Sequence, residues 1–220
     1  MPITAFLFDL DGVIVDTAIY HYQAWKRLAN ELGFDISEEF NERLKGVSRT
    51  DSLDIILEHG GLTLPDEEKT QLAAQKNQWY LELVSRMTPE DILPGVANFF
   101  SQVRKANLLT AIGSVSKNAP LILERIGLSD TFDAIIDGTK ISKGKPDPEV
   151  FTKGAAELGV SPAECVVFED AVAGVEAGRR GGMFVVGLGS PDVLTQADLV
   201  APSLEHLSVQ EVLDRAQAVS

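Results

Sequence analysis

The chain has 220 residues, enough for one large domain or for a core with a smaller insert. Apolar residues make up 45% and charged residues 24%, the balance of an ordinary globular protein, and no apolar run approaches the roughly 20 residues that span a bilayer. A net charge of −14 repels nucleic acid and anionic membranes over most of the surface, so a phosphate-bearing ligand would need cations gathered at one place.

The start, Met1-Pro2-Ile3-Thr4, has no basic flank and runs straight into a strand-like segment, so no signal peptide is expected. Ile3 to Phe8 is a short apolar run that reads as a buried parallel strand. From about Thr17 to Thr88 the pattern is helix after helix. Thr17 to Leu32 is predicted helical and closed by Gly33. Ser48-Arg49-Thr50-Asp51 resembles a capping box ahead of Leu53, Ile56 and Leu57, and that helix should stop at Gly60-Gly61. Pro65 should open a long helix reaching about Met87.

After Thr88-Pro89 strands and helices alternate. Strands are predicted at Leu108 to Gly113, Phe132 to Ile136, Val166 to Phe168 and Phe184 to Leu188. Helices are predicted at Val96 to Arg104, Pro120 to Ile126, Glu149 to Leu158 and Val172 to Arg179. This alternation argues for an α/β fold with a doubly wound, Rossmann-like parallel sheet and right-handed crossovers. The expected organisation is a core of residues 1–16 and 89–220, interrupted after its first strand by a helical cap of residues 17–88. Ligands of open parallel sheets bind beyond the carboxyl ends of the strands, so such a cap would cover the site. Cys165 is the only cysteine, which excludes an internal disulfide and reads as a buried, inert thiol. A cytosolic monomer is expected.

Four predicted strand ends carry the chemistry. The first is followed by Asp9-Leu10-Asp11-Gly12 and the next by Ser114-Val115-Ser116-Lys117-Asn118. The loop beyond the third carries Lys145-Pro146, and the fourth is followed by Glu169-Asp170. Each alone has an ordinary explanation: a turn, a helix cap, an exposed loop lysine, carboxylates favoured at a helix start. Parallel strands, however, would bring all four to one edge of the sheet. Asp9, Asp170 and Glu169 suit Mg²⁺, which prefers oxygen ligands. A carboxylate beside that ion can attack phosphorus, with Lys145 and Ser114 on the phosphoryl oxygens. Regular strand geometry would turn Asp9 and Asp11 to opposite faces, so the strand must already have ended, and Gly12 permits the turn.

Phe8-Asp9-Leu10-Asp11-Gly12-Val13, Ser114, Lys145-Pro146 and Glu169-Asp170 resemble, in order, the four motifs of the haloacid dehalogenase superfamily. The resemblance covers the chain and implies that Asp9 is the nucleophile and Asp11 the general acid/base. It also implies metal ligation by the carboxylates of Asp9 and Asp170, the backbone carbonyl of Asp11 and, as a helper, Glu169. Aspartate rather than threonine at position 11 leans toward phosphatase or mutase chemistry.

Within that superfamily, Asp16-Thr17, His21, Trp25, Leu44-Lys45-Gly46-Val47-Ser48-Arg49, Ser52, Lys76-Asn77 and Ser114 to Asn118 are similar to the β-phosphoglucomutase family. Val115 departs from members with a smaller residue there, and the last thirty residues or so are only weakly similar. This closer resemblance implies conversion of β-D-glucose 1-phosphate to glucose 6-phosphate, through an aspartyl phosphate and β-glucose 1,6-bisphosphate. Arg49 would bind the distal phosphate in bidentate fashion, assisted by Lys117 and Asn118. Thr17, His21 and Lys76 would position Asp11, with His21 touching it directly, and Trp25 would form wall or core. Lys45, Gly46, Val47, Ser48, Ser52, Val115 and Ser116 complete the implied sugar-phosphate site.

Residues 17 to 88 carry eight Lys/Arg against twelve Asp/Glu, so the cap is not basic as a whole. Lys45, Arg49, Lys76, Lys117 and Lys145 would have to converge. A hinge is expected near Asp16-Thr17 and Thr88-Pro89. The main rival is an Mg²⁺-dependent phosphatase of small sugar phosphates on the same core. A nucleotide-binding Rossmann protein would instead show a Gly-rich turn after the first strand, which Asp9-Leu10-Asp11-Gly12 is not.

Overall fold

A computed structural model describes residues 2–219; Met1 and Ser220, the outer limits of the expected core, lie outside the described residues. Its centre is a parallel sheet. β1 (Ala5–Phe8) lies between β2 (Leu109–Gly113) and β4 (Cys165–Glu169), with β3 (Ala134–Ile136) beyond β2, and β5 (Phe184–Leu188) and β6 (Leu199–Ala201) beyond β4. The order β3-β2-β1-β4-β5-β6 is that of a doubly wound sheet, whose direction reverses between β1 and β4.

Apolar residues cover both faces of this sheet, as parallel strands require. Along β1 the side chains alternate. Phe6 and Phe8 join Phe99, Phe100, Ile112 and Phe168 in one cluster, while Ala5 and Leu7 join Val150, Phe151, Val167 and Val185 in the other. The first face is closed by α5 (Val96–Lys105), α6 (Ala119–Arg125) and α9 (Val209–Val219), the second by α7 (Glu149–Leu158) and α8 (Val172–Arg180).

Four helices intervene between β1 and α5. They are α1 (Ala18–Glu31), α2 (Glu38–Glu42), α3 (Arg49–His59) and α4 (Asp66–Val84). They share a separate apolar cluster of Trp25, Leu28, Ile36, Phe40, Leu44, Leu53, Ile56, Leu57 and Ala73. The sheet-side ends of α1 and α4 contribute Ala24, Tyr80 and Val84 to the sheet cluster, so these two helices root the insert on the core. Among the described residues no helix is long and apolar enough to cross a membrane.

Three elements depart from the sequence reading. α2 is five residues long, too short to show a period, and is started by Ser37, whose hydroxyl accepts from Phe40 N. β6 is three residues long, and the aspartate before it, Asp198, accepts from Val185 N at 2.8 Å. α9 buries Val209, Val212 and Ala216 against the first face, and Gln102 Oε1 accepts from Val209 N. The long insert helix ends at Val84 rather than near Met87. Ser48 does cap α3, but Asp51 returns a bond to the Ser48 hydroxyl (2.6 Å) and not to its backbone, so the box is only half formed.

Cys165 begins β4 and has no exposed surface; burial, with Glu164 adding to it, pushes its thiol up to about 12. The folded protein should therefore resist a soluble disulfide reagent at neutral pH and release one equivalent of chromophore only on unfolding. Rapid labelling of the native protein would contradict this burial.

Candidate active site

β1 ends at Phe8, although Asp9 N still donates to Phe168 O (2.9 Å). The chain then folds back on itself: Ile14 N donates to Leu10 O and Gly12 N to Val15 O, with Gly12 at φ +79°. That left-handed turn brings Asp9 and Asp11 to one cavity, where an extended strand would have parted them. A side chain at position 12 would also overlap the carboxylate of Asp170.

Lys145 lies beneath the cavity with no exposed side-chain surface. Its ammonium donates to Asp9 Oδ1 and to Glu169 Oε1, and Glu169 Oε2 accepts from Ala171 N at 3.1 Å. Burial pulls the lysine pKa down, but the two carboxylates outweigh it and the group stays charged. Asp9, Glu169 and Asp170 each present a carboxylate oxygen within 4.8 Å of the others. Burial first, and then the charge of Asp9, push both Glu169 and Asp170 upward, against the pull of the nearby lysines. An all-oxygen cluster whose members repel one another fits a hard divalent cation, which removes that repulsion.

Asp11 is raised to about 7 by burial and by the charge of Asp9. Its Oδ1 accepts from the Thr17 hydroxyl, and Thr17 accepts in turn from the Tyr80 hydroxyl at 3.2 Å. The Tyr80 ring stacks on His21, with centroids 4.0 Å apart. His21 Nδ1 and Lys76 Nζ are 2.7 Å apart, and Lys76 lies 4.3 Å over the Trp25 ring. An ammonium offers only donors, so His21 Nδ1 accepts and the ring proton sits on Nε2. Burial, then Lys76, holds His21 well below its ordinary pKa; burial, then Arg49, does the same to Lys76. Arg49 is half-buried beside them and is lowered by burial.

The cavity between sheet and helices has a volume of about 1040 Å³. It brings together Asp9, Asp11, His21, Trp25, Lys45, Gly46, Val47, Ser48, Arg49, Ser52, Lys76, Val115, Ser116, Lys117, Asn118, Ser114, Glu169 and Asp170, all named from the sequence. Thr17 and Lys145 do not border it but support residues that do. The expected direct contact of His21 with Asp11 is replaced by the path through Tyr80 and Thr17, because Lys76 occupies the histidine. Lys145 faces carboxylates rather than open space. In the loop after β2, Ser114 Oγ accepts from Ser116 N and Ser116 Oγ from Asn118 N. Asn118 then donates to Asn77 on α4 at 2.9 Å, and Lys45 Nζ stands 3.7 Å from Asp170, so both sides of the cleft touch.

Two residues of the site escaped the sequence reading. Tyr80 lies one turn beyond Lys76 on α4, so an i, i+4 search from that lysine would have reached it. Lys143 borders the cavity from the loop held by Glu149, whose Oε2 accepts from Ser142 N and Lys143 N.

A family profile for haloacid dehalogenase-like hydrolases matches residues 3–182. The chain belongs to that family. It is 45% identical to a β-phosphoglucomutase of Bacillus subtilis (strain 168) over 208 residues, 94% of this chain and 92% of the relative. A crystal structure of β-phosphoglucomutase from Clostridium difficile superposes with a TM-score of 0.95 at 43% identity, covering 99% of this chain and 98% of that one. A phosphorylated carbohydrates phosphatase of Thermotoga maritima is 32% identical over 184 residues, 81% of this chain and 82% of the relative. The four motifs of this haloacid dehalogenase-like chain thus sit on a fold shared with both mutases and phosphatases of phosphorylated sugars.

Two substitutions test the geometry. A Cβ at Gly174, in the first turn of α8, would overlap the pinned carboxylate of Glu169. Overpacking of about 1–3 kcal/mol at a site that cannot yield should lower Mg²⁺ affinity or turnover roughly tenfold or more, read by Mg²⁺ titration of Gly174→Ala. Tyr80→Phe removes one buried donor, worth about 1 kcal/mol, and should lower the melting temperature by about 2–4 °C. An unchanged melting temperature would mean that the Tyr80–Thr17 bond carries no net stability.

Proposed function

We propose that this protein is a sugar-phosphate mutase that interconverts β-D-glucose 1-phosphate and glucose 6-phosphate, with Asp9 as phosphoryl carrier. The observation that carries the reading is a single cavity with two unlike ends. Asp9, Asp11, Glu169 and Asp170 form one end, and the cations Arg49 and Lys76 lie on the facing helices. A phosphatase needs only the first end. A mutase must also hold a second phosphate, which Arg49 suits because a guanidinium pairs with phosphate in bidentate fashion.

Residues 17–88 are taken as a cap over a core of residues 1–16 and 89–220, hinged near Asp16-Thr17 and Thr88-Pro89. The carboxylates of Asp9, Asp170 and Glu169 and the backbone carbonyl of Asp11 would hold Mg²⁺, which when bound screens the charge between Asp9 and a phosphate. Phosphorylated Asp9 gives its phosphoryl group to the 6-hydroxyl of the sugar 1-phosphate. Asp11 takes the hydroxyl proton, and the Asp9 carboxylate is regenerated as the P–O bond to it breaks. β-Glucose 1,6-bisphosphate, also the activator, then turns end for end. Its 1-phosphoryl group returns to Asp9 while Asp11 hands its proton to the departing 1-oxygen. The perturbation of Asp11 to about 7 supports both roles, because the group can hold or release a proton near neutrality. Lys145 keeps Asp9 oriented, and Ser114 and the backbone around it receive the transferring group. Closure of the cap excludes water, which would otherwise hydrolyse the aspartyl phosphate.

The test is an assay with β-glucose 1-phosphate, Mg²⁺ and a trace of β-glucose 1,6-bisphosphate, following glucose 6-phosphate and free phosphate together. Glucose 6-phosphate with little free phosphate is expected, and Asp9→Asn should abolish its formation. Free phosphate alone would make the protein a phosphatase on the same nucleophile, and turnover retained by a clean Asp9→Asn preparation would sink the scheme.

A further inference from the structure

Ten polar or charged residues are buried among the described ones, and most have side-chain partners. Thr110 bonds Asp133, Asp137 accepts from Thr139, and Thr17, Lys76, Ser114, Lys145, Asp9 and Glu169 belong to the networks above. Ser52 and Asn41 stand apart. Neither side chain makes a hydrogen bond among the described residues, and both border the cavity from the insert helices, Asn41 on α2 and Ser52 on α3. Asn41 is 6% exposed, and its Oδ1 is sealed from solvent without a donor.

The backbone does not explain this amide. Asn41 N donates to Ser37 O and its carbonyl accepts from Leu44 N at 2.9 Å, so the helix turn is complete without the side chain. A buried amide without partners is unfavourable, and an apolar residue of similar size would remove the cost. What the amide offers is one donor group and one acceptor group side by side, facing a cavity whose cations, Lys45, Arg49 and Lys76, are matched to phosphate. A phosphate oxygen only accepts, whereas a sugar hydroxyl both donates and accepts, and so uses both ends of the amide.

We propose that Asn41 is a sugar-recognition residue, whose side-chain amide pairs with one hydroxyl of the hexose phosphate. The inference rests on the sugar-phosphate reading above and deepens it. The phosphates are held by cations, and the identity of the sugar is read in part by this neutral group on α2. Rejection of a substrate lacking the paired hydroxyl follows, since the amide would be left unpaired.

The experiment is calorimetric binding of glucose 6-phosphate, and of analogues each lacking one ring hydroxyl, to the full chain with Mg²⁺. Wild type, Asn41→Leu and Asn41→Ala are compared, with melting temperatures recorded in parallel. Wild type should bind one analogue about tenfold more weakly than the parent sugar. Both variants should bind the parent about tenfold more weakly and treat that analogue like the parent. Asn41→Leu should melt no lower than wild type, because no bond within the protein is lost. Unchanged affinity in both variants, or the same discrimination among analogues in all three proteins, would overturn the proposal. So would a lowered melting temperature of Asn41→Leu with affinity intact, which marks a structural amide. If wild type binds no sugar phosphate, the sugar reading itself fails, and that result is seen before any variant is measured.

Discussion

Lys145 places an ammonium, out of reach of solvent, between the carboxylates of Asp9 and Glu169, and the arrangement of the site follows from that contact. Removing one member of a buried ion pair leaves a charge uncompensated, at about 3–5 kcal/mol. The cation therefore fixes three chain segments at once: the end of β1, the end of β4 and the loop that follows β3. None of these is a neighbour in sequence. They meet because the strands are parallel and because β1 and β4 pair directly in the middle of the sheet. The aromatic packing of Phe6, Phe8 and Phe168 beneath them makes that edge rigid, with Phe8 and Phe168 stacked 4.7 Å apart.

One ammonium does not balance the acid that surrounds it. Asp9, Glu169 and Asp170 share the lysine, and Asp11 lies close enough for the charge of Asp9 to raise it to about 7. Such crowding costs stability and has no packing purpose, since apolar residues would fill the same space at lower cost. A centre poised in this way gains from any event that brings in positive charge, whether a divalent cation or a proton on Asp11. The same electrostatics explains why a chain of net charge −14 can host an anion. The cations Arg49, Lys76 and Lys45 are assembled on the opposite wall, on helices that carry no net positive charge of their own.

How much of this was legible in the sequence depended on distance along the chain. The four acidic and basic motifs follow their strands within a few residues, so a reading of buried strands located them on one edge. The turn at Gly12 was legible because Asp9 and Asp11 could not otherwise share a site. Short elements were not. α2 and β6 are too brief for a period to show, and α9 lies where the similarity to relatives is weak. Side-chain partners separated by tens of residues were also hidden. Nothing near His21 says that Lys76 takes its Nδ1, or that Tyr80 and Thr17 stand between it and Asp11. Likewise nothing near Asn41 marks it as a buried polar side chain, since α2 itself went unread.

The path from Asp11 through Thr17 and Tyr80 to His21 and Lys76 joins the two halves of the molecule. Asp11 belongs to the sheet edge; every other member comes from α1, α4 or the residue that begins α1. Thr17 is fully buried and sits where the chain leaves the core for the insert, so a rotation of the helices about that point must move its hydroxyl relative to Asp11. The state of the acid/base and the position of the helices are thus not independent. A bound anion drawn toward Arg49 and Lys76 alters the charge behind Tyr80 and His21, and with it the setting in which Asp11 holds its proton. A fold whose insert returned to the sheet without α1 and α4 as paired supports could cover the cavity, but it could not report its position to the carboxylate that moves the proton.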